Sequence, residues 1–221
     1  MIDRRRFSFQ LAGAAGAAGL ASLGLAPGAA LAQGTPVAGK DFNRLSPPVP
    51  TVSSGKIEVI EFFWYGCPHC WDLEPLIEPW AAKLPADVHY RLVPFDFGEA
   101  LREIHQRIFC TWEVLGLVEK MHFKTFERFH VQRKPINTEA DMLKFAGESG
   151  LDVAKVKDAW NSFGVQTKMR QAKQTCEQYG VHSTPMLAVQ GRFETEPALT
   201  GSGEKTLAVA DYLINVVRKG G

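Results

Sequence analysis

The hydrophobic pattern of the chain is anchored on Val59-Ile60-Glu61-Phe62-Phe63. The run from Ile57 to Phe63 is β-branched and aromatic and too short for a helix, so it predicts a buried strand, with Glu61 set among its apolar residues. Gly66 ends it. Pro68 suits the first turn of a helix, where its missing N–H is not needed. Trp71, Leu73, Ile77 and Trp80 give that helix an apolar side to about Leu84. Pro75 and Pro79 lie inside it, and each removes an internal hydrogen bond. Val88 to Phe95 alternates and predicts the next strand, giving a β-α-β unit with a parallel pair.

On the N-terminal side, Asp41 to Leu45 predicts a short edge strand that Pro47, Pro48 and Pro50 terminate. The stretch from Phe95 to Pro185 is several times longer than one crossover helix requires. Its apolar positions predict five helices. Leu101, Ile104, Ile108, Trp112 and Leu115 mark the first, and Val118 to Phe129 the second. Thr138 and Asp141 form a capping box that opens the third, which Gly150 closes. Asp152 caps the fourth. Val165, Met169, Ala172, Cys176 and Tyr179 mark the fifth. The stripes Phe123/Phe126/Phe129 and Trp160/Phe163 are expected in the core. Met186 to Val189 and Arg192 to Thr195 predict a hairpin about Gln190-Gly191, and Leu207 to Val217 a last helix. For the start of the Met186 strand to meet the C-terminal end of the central strand, the two must be antiparallel. The fold class is therefore α/β, a mixed central sheet with an inserted helical domain. The expected divisions are 33–97, 98–170 for the helices, and 171–221.

The first residues read differently. Arg4-Arg5-Arg6 is a basic start, Leu11 to Leu25 an uncharged Ala/Gly/Leu run, and Ala30-Leu31-Ala32 a cleavage pattern. Residues 1–32 are read as a removed signal peptide, exported by the Sec route or, from Arg4-Arg5-Arg6-Phe7, by a twin-arginine route. Basic residues number 25 and acidic ones 24, without a Lys/Arg cluster, so nucleic-acid binding has no electrostatic footprint. No later stretch is apolar enough to span a membrane.

The candidate chemistry lies at Cys67-Pro68-His69-Cys70, where strand hands over to helix. Helix N-terminal amides favour a thiolate at Cys67, and His69 can add a donor or a positive charge. Cys70, one turn in, is expected to be buried and to attack only in resolving a mixed disulfide. A zinc site would need two further ligands, and Cys110 and Cys176 stand singly and far away. Haem attachment requires His after the second cysteine, where Trp71 stands. No metal and no cofactor is expected. A static structural disulfide would leave the aromatic approach and the Pro-His insert unexplained. An even cysteine count in an exported chain admits a second bridge, Cys110–Cys176. Trp64, Tyr65 and Trp71 offer a peptide-binding patch near Cys67.

The segment Phe62-Phe63-Trp64-Tyr65-Gly66-Cys67-Pro68-His69-Cys70 resembles the active site of the DsbA family of periplasmic thiol:disulfide oxidoreductases. Gly180-Val181-His182-Ser183-Thr184-Pro185-Met186 looks like the cis-proline loop of thioredoxin folds. The resemblance implies a thioredoxin-like fold and a redox-active Cys67–Cys70 disulfide. It implies redox tuning by Pro68, His69 and Glu61, and substrate binding by Thr184 and Pro185. It places Glu61 beneath the buried cysteine and matches Glu74 to a second acidic position, though Glu74 reads equally as a solvated helix residue. The family's basic partner for that acid has no clean match: Arg91 is near, and Leu92 occupies the aligned place. The implied partners are reduced unfolded exported proteins and, for reoxidation, a DsbB-like membrane oxidase, with the protein a monomer in the periplasm. The competing readings are a periplasmic isomerase or reductase, and a redox-inactive peptide-binding chaperone. An isomerase of the DsbC kind needs an N-terminal dimerisation region, for which only Gln33 to Lys56 is available.

Overall fold

The computed structural model describes residues 34–53 and 55–220, so the export signal read over 1–32 lies outside the described residues. At its centre is β2 (Ile57–Phe63), buried along its whole length. Strand β3 (Val88–Pro94) pairs parallel to it on one side, with Glu61 opposite Leu92. Strand β4 (Met186–Val189) pairs antiparallel on the other, with Phe62 opposite Met186. Strand β5 (Phe193–Thr195) and the short β1 (Asn43–Arg44) complete a five-stranded mixed sheet of order β1-β5-β4-β2-β3.

Alternation along β2 sends its side chains to opposite faces. Val59 faces a cluster with Leu213 and Ile214 of α8 (Gly203–Arg218), beside α1 (Pro68–Ala81), whose Leu73 and Ile77 pack on Leu187 and Leu207. Ile60 and Phe62 face Ala172, Cys176 and Tyr179 of α6 (Phe163–Tyr179). The remaining helices are α2 (Ala100–Val114), α3 (Val118–His130), α4 (Glu139–Glu148) and α5 (Val153–Trp160). They gather about Ile108, Trp112, Met121, Phe126, Met142 and Phe145. That cluster runs without a break into Phe63, Tyr65, Cys67 and Cys70. Residues Pro36–Gly221 form one compact unit.

Local signals place the helix ends. Thr138 accepts from the Asp141 amide at 3.1 Å and donates to its carboxylate at 2.8 Å, as the capping box predicts. Asp152 accepts from the amides of Ala154 and Lys155. A short helix unforeseen in the sequence, α7 (Pro197–Thr200), follows β5, opened by Pro197 and closed by Gly201.

Two expectations are corrected. Phe163 is 74% exposed, because it is the first residue of α6 and precedes the inward stripe that begins at Val165; its ring lies 5.4 Å from the Arg170 guanidinium instead. The division at residue 170 falls inside α6, which continues unbroken because its buried stripe runs from Val165 to Tyr179.

The hairpin turn tests how tightly the sheet edge is built. Gly191 has φ +61°, and a Cβ there would stand 1.9 Å from the Val49 carbonyl oxygen. Gly180 has a similar φ of +60° and open space around it. Gly191→Ala is expected to destabilise by about 2–4 kcal/mol and Gly180→Ala by only about 1 kcal/mol. Urea melts of both variants measure this, and equal losses would refute the close approach at Val49.

Candidate active site

Cys67 is the N-cap of α1 with extended backbone (φ −84°, ψ 118°), Pro68 follows in the first turn, and no acidic residue stands there. The orphan amides of that turn are therefore free to meet a negative sulfur. Cys67 is 6% exposed and Cys70 0%, so access and interior are separated by one helical turn. A hydrogen bond from Cys70 does most to lower the Cys67 thiol, to about 5. Burial opposes it, and Thr184 and the amides of Cys70 and His69 add to it. Burial, followed by its interactions with Cys67, pushes Cys70 well above the ordinary thiol range. One sulfur is poised as thiolate and the other as thiol.

Thr184 comes to the pair from more than a hundred positions away. The Thr184–Pro185 bond is cis, Cys67 Sγ lies 3.3 Å from the Thr184 carbonyl oxygen, and the Thr184 side chain hydrogen-bonds the sulfur. The antiparallel start of β4 beside Phe62 delivers it there, as the strand order demanded. His69 takes part differently from its expected role. Its imidazole is 80% exposed and 3.9 Å from Asp72, and only its backbone amide bears on Cys67.

Glu61 lies fully buried on the α1 side of the sheet, where its charge bears on Cys70. No cation meets it. The register puts Arg91 opposite Ile60, on the other face, where it pairs at 3.2 Å with the buried Glu58. Glu61 accepts instead from the Tyr90 hydroxyl. Burial first, then the charge of Glu74, push its carboxyl up to about 8, against the Tyr90 hydrogen bond. Glu74 is itself buried on α1, not solvated, with Oε1 3.6 Å from Nε2 of His122. Nδ1 of His122 lies 3.0 Å from the Tyr65 hydroxyl. Tyr65, expected in an exposed patch, is 1% exposed because this bond and the rings of Phe63 and Phe126 hold it inward. Tyr90 and His122 were missed from sequence. Alternation along β3 would have put Tyr90 on the Glu61 face; nothing local marks His122.

Trp64 and Trp71 do line the rim, half-buried. Trp71 stacks on His130 at 5.8 Å, and the Arg102 guanidinium lies 4.4 Å from the Trp64 ring.

The second bridge is not formed. Cys110 and Cys176 are free thiols in different clusters. Cys110 packs with Val165 and Met169, where α2 uses a second buried side against α6, while Cys176 points at the Pro94 carbonyl. Burial pushes Cys176 up to about 12 and Cys110 higher still, so both serve as small apolar groups.

A dithiol at the head of the helix that follows the central strand of a mixed sheet, faced by a cis-proline loop, defines a thioredoxin-fold thiol–disulfide protein. Residues 102–212 match the DSBA-like thioredoxin domain family. The chain is 41% identical to the thiol:disulfide interchange protein DsbA of Pseudomonas aeruginosa, across 82% of this chain and 85% of that one. It is 38% identical to the DsbA of Burkholderia cepacia, across 90% and 94%. The crystal structure of Pseudomonas aeruginosa DsbA superposes with a TM-score of 0.79 at 39% identity, covering 83% of this chain and 95% of that one. The chain belongs to the DsbA family.

The reduced protein should show a thiolate absorbance that titrates near pH 5, from Cys67 alone. The linkage has a definite sign. A depressed thiol stabilises the reduced fold fully above its unfolded value near 9 and loses that contribution as pH falls through about 5. With solvent screening at the partly accessible sulfur taken into account, it is worth about 1–2 kcal/mol at neutral pH. Denaturant melts should find the reduced form more stable than the oxidised one at neutral pH, with the gap closing towards pH 4 to 5; a gap independent of pH would refute the assignment. After full oxidation and unfolding, thiol counting should find the two sulfurs of Cys110 and Cys176 still free.

Proposed function

We propose that this chain is an exported dithiol oxidant that passes the Cys67–Cys70 disulfide to folding proteins. The observation that carries the reading is the asymmetry of the two sulfurs: Cys67 is held as thiolate while Cys70 keeps its proton. Opening the disulfide therefore releases a stabilised charge at Cys67, which favours the reduced enzyme and makes the oxidised one a donor.

In the first step a substrate thiolate attacks Cys67 Sγ. The Cys67–Cys70 bond breaks, its electron pair goes to Cys70 Sγ, and Cys70 takes a proton from Glu61, the buried acid whose charge bears on it. A second substrate thiolate then attacks the substrate sulfur of the mixed disulfide, and the electron pair returns to Cys67 as thiolate. The substrate loses two electrons as its dithiol becomes a disulfide, and the enzyme gains them. Thr184 lies where its main chain can pair with an extended peptide, which tolerates almost any sequence, and Pro185 holds that main chain beside Cys67. Pro68 and the His69 amide tune Cys67 from the helix start.

Reduced, unfolded exported proteins are the substrates of this reading, and a DsbB-like membrane oxidase restores the disulfide. The periplasm is the compartment that the sequence of residues 1–32 and the chemistry both favour. Among the described residues no helix is long and apolar enough to cross a membrane.

Refolding of a reduced multi-disulfide protein tests the reading. Cys67→Ser should abolish oxidation, by more than about 100-fold. Cys70→Ser should permit formation of a mixed disulfide on Cys67 but leave it without its resolving thiol. Equilibration with glutathione should leave the enzyme mostly reduced; an equilibrium favouring its disulfide would turn the assignment towards a reductase.

A further inference from the structure

Beneath Cys70 lies a set of buried polar groups that two sulfurs and one acid do not account for. Glu61, Glu74 and His122 are all buried, and Glu61 Oε1, Glu74 Oε2 and His122 Nε2 have no hydrogen-bond partner. Groups of this kind are costly to bury unless their charges are managed jointly. The geometry orders them. Tyr90 holds one oxygen of Glu61, leaving Oε1 free. Glu74 on α1 carries the second carboxyl, and His122 on α3 presents Nε2 to it at 3.6 Å. A lone pair on Nε2 would repel that carboxylate, so the proton belongs on Nε2, and Nδ1 then accepts from the Tyr65 hydroxyl at 3.0 Å.

We propose that His122 is a positioning residue for the redox step: anchored by Tyr65, it partners Glu74 and thereby governs the exchange of a proton between Glu61 and Cys70. The inference rests on the assignment of Cys67 and Cys70 given above. When the disulfide opens, the proton moves from the Glu61 carboxyl to Cys70 Sγ. Glu61 is left as a carboxylate close to Glu74, and the two buried negative charges repel. An Nε2–H directed at Glu74 offsets that repulsion. When Cys70 later attacks a mixed disulfide, its proton returns to Glu61 and the same balance runs backwards. Among the described residues, His122 forms no other ion pair. Around it stand Tyr65, Glu74 of α1, and the rings of Phe63, Phe109 of α2 and Phe126 of α3. On α2 the Cys110 thiol bears on Tyr65.

The charge of Glu74 raises the Glu61 carboxyl, so removing the group that offsets that charge must raise the pH at which Glu61 gives up its proton. The test uses the full protein carrying glutathione on Cys67, and follows release of that glutathione by Cys70 as a function of pH. Carbon NMR of the glutamate carboxyl groups provides a second readout. His122→Phe should move the inflection up by about one pH unit, and Glu74→Gln should move it down. In the Glu74→Gln background, His122→Phe should move it little, because the coupling runs through Glu74. Tyr65→Phe, which keeps the ring and removes only the anchor, should move it up by less, and decides the matter if His122→Phe does not fold. A merely structural loss would not shift the two single variants in opposite directions. Normal glutathione release with an unmoved inflection in Tyr65→Phe and His122→Phe would overturn this inference alone. Failure of Cys70 to release glutathione at any pH would overturn it together with the sulfur assignment.

Discussion

The site depends on one interaction: the set of hydrogen bonds that converge on Cys67 Sγ. They come from three directions, the Cys70 thiol, the helix-start amides and Thr184. Each is modest alone, and a charge-assisted hydrogen bond is stronger than a neutral one. Together they outweigh the burial that pushes the same sulfur the other way. Cys70 receives the reverse treatment because it lies one turn deeper, away from the orphan amides and wholly out of water. The difference in proton affinity between two chemically identical groups is thus made by about one turn of helix, and the rest of the fold serves to keep that turn, and the Thr184 loop facing it, in register.

Register also decides the chemistry underneath. Glu58 and Glu61 are three residues apart on β2, so alternation puts them on opposite faces of the sheet. On β3, Arg91 falls on the Glu58 face and Tyr90 on the Glu61 face. One acid receives a guanidinium, a serine hydroxyl and a backbone amide; the other receives a phenol and sits between Leu92 and Leu187. A phenol can share a hydrogen bond but cannot neutralise a charge. Glu61 therefore keeps a high proton affinity and can exchange its proton with a thiol of similarly raised affinity, whereas a carboxylate paired with a cation would hold no proton at neutral pH.

What was legible in the sequence follows from how local each signal is. The Cys67-Pro68-His69-Cys70 turn, the capping box at Thr138 and the Gln190-Gly191 turn each write their geometry within a few residues. The five helices between β3 and β4 were readable from apolar spacing together with the caps at Thr138 and Asp152. Thr184 could be placed because strand order and direction fix where β4 begins. The polar groups beneath Cys70 are of another kind. Glu61, Glu74, Tyr90 and His122 belong to four elements, and only the packing of α1 and α3 over the sheet brings them together. Glu74 therefore read as a solvated residue, and Tyr65 as an exposed one, since each is buried by a partner distant in sequence. The bridge between Cys110 and Cys176 failed for a related reason: counting cysteines says nothing of which cluster each thiol enters.

The helices between the two halves of the sheet are more than a cover. α3 sets Phe126 and His122 against Tyr65, and His130 against Trp71 and the Tyr65 carbonyl at 2.8 Å. It packs against the redox helix through Glu74 and against the end of β2 through Phe63, so α3 joins the helix that carries Cys70 to the strand that carries Glu61. The aromatic core of these helices is continuous with Phe63 and both cysteines. A dry, close-packed surround strengthens every charge interaction within it, because little water remains to screen them. A bare thioredoxin core could present the same Cys-Pro-His-Cys turn. It would lack the wall that keeps Tyr65 inward and would leave Glu74 facing solvent, where its charge would be screened from Glu61. The inserted helices thus set the dielectric in which the redox pair works, and through it the difference in proton affinity on which the chemistry turns.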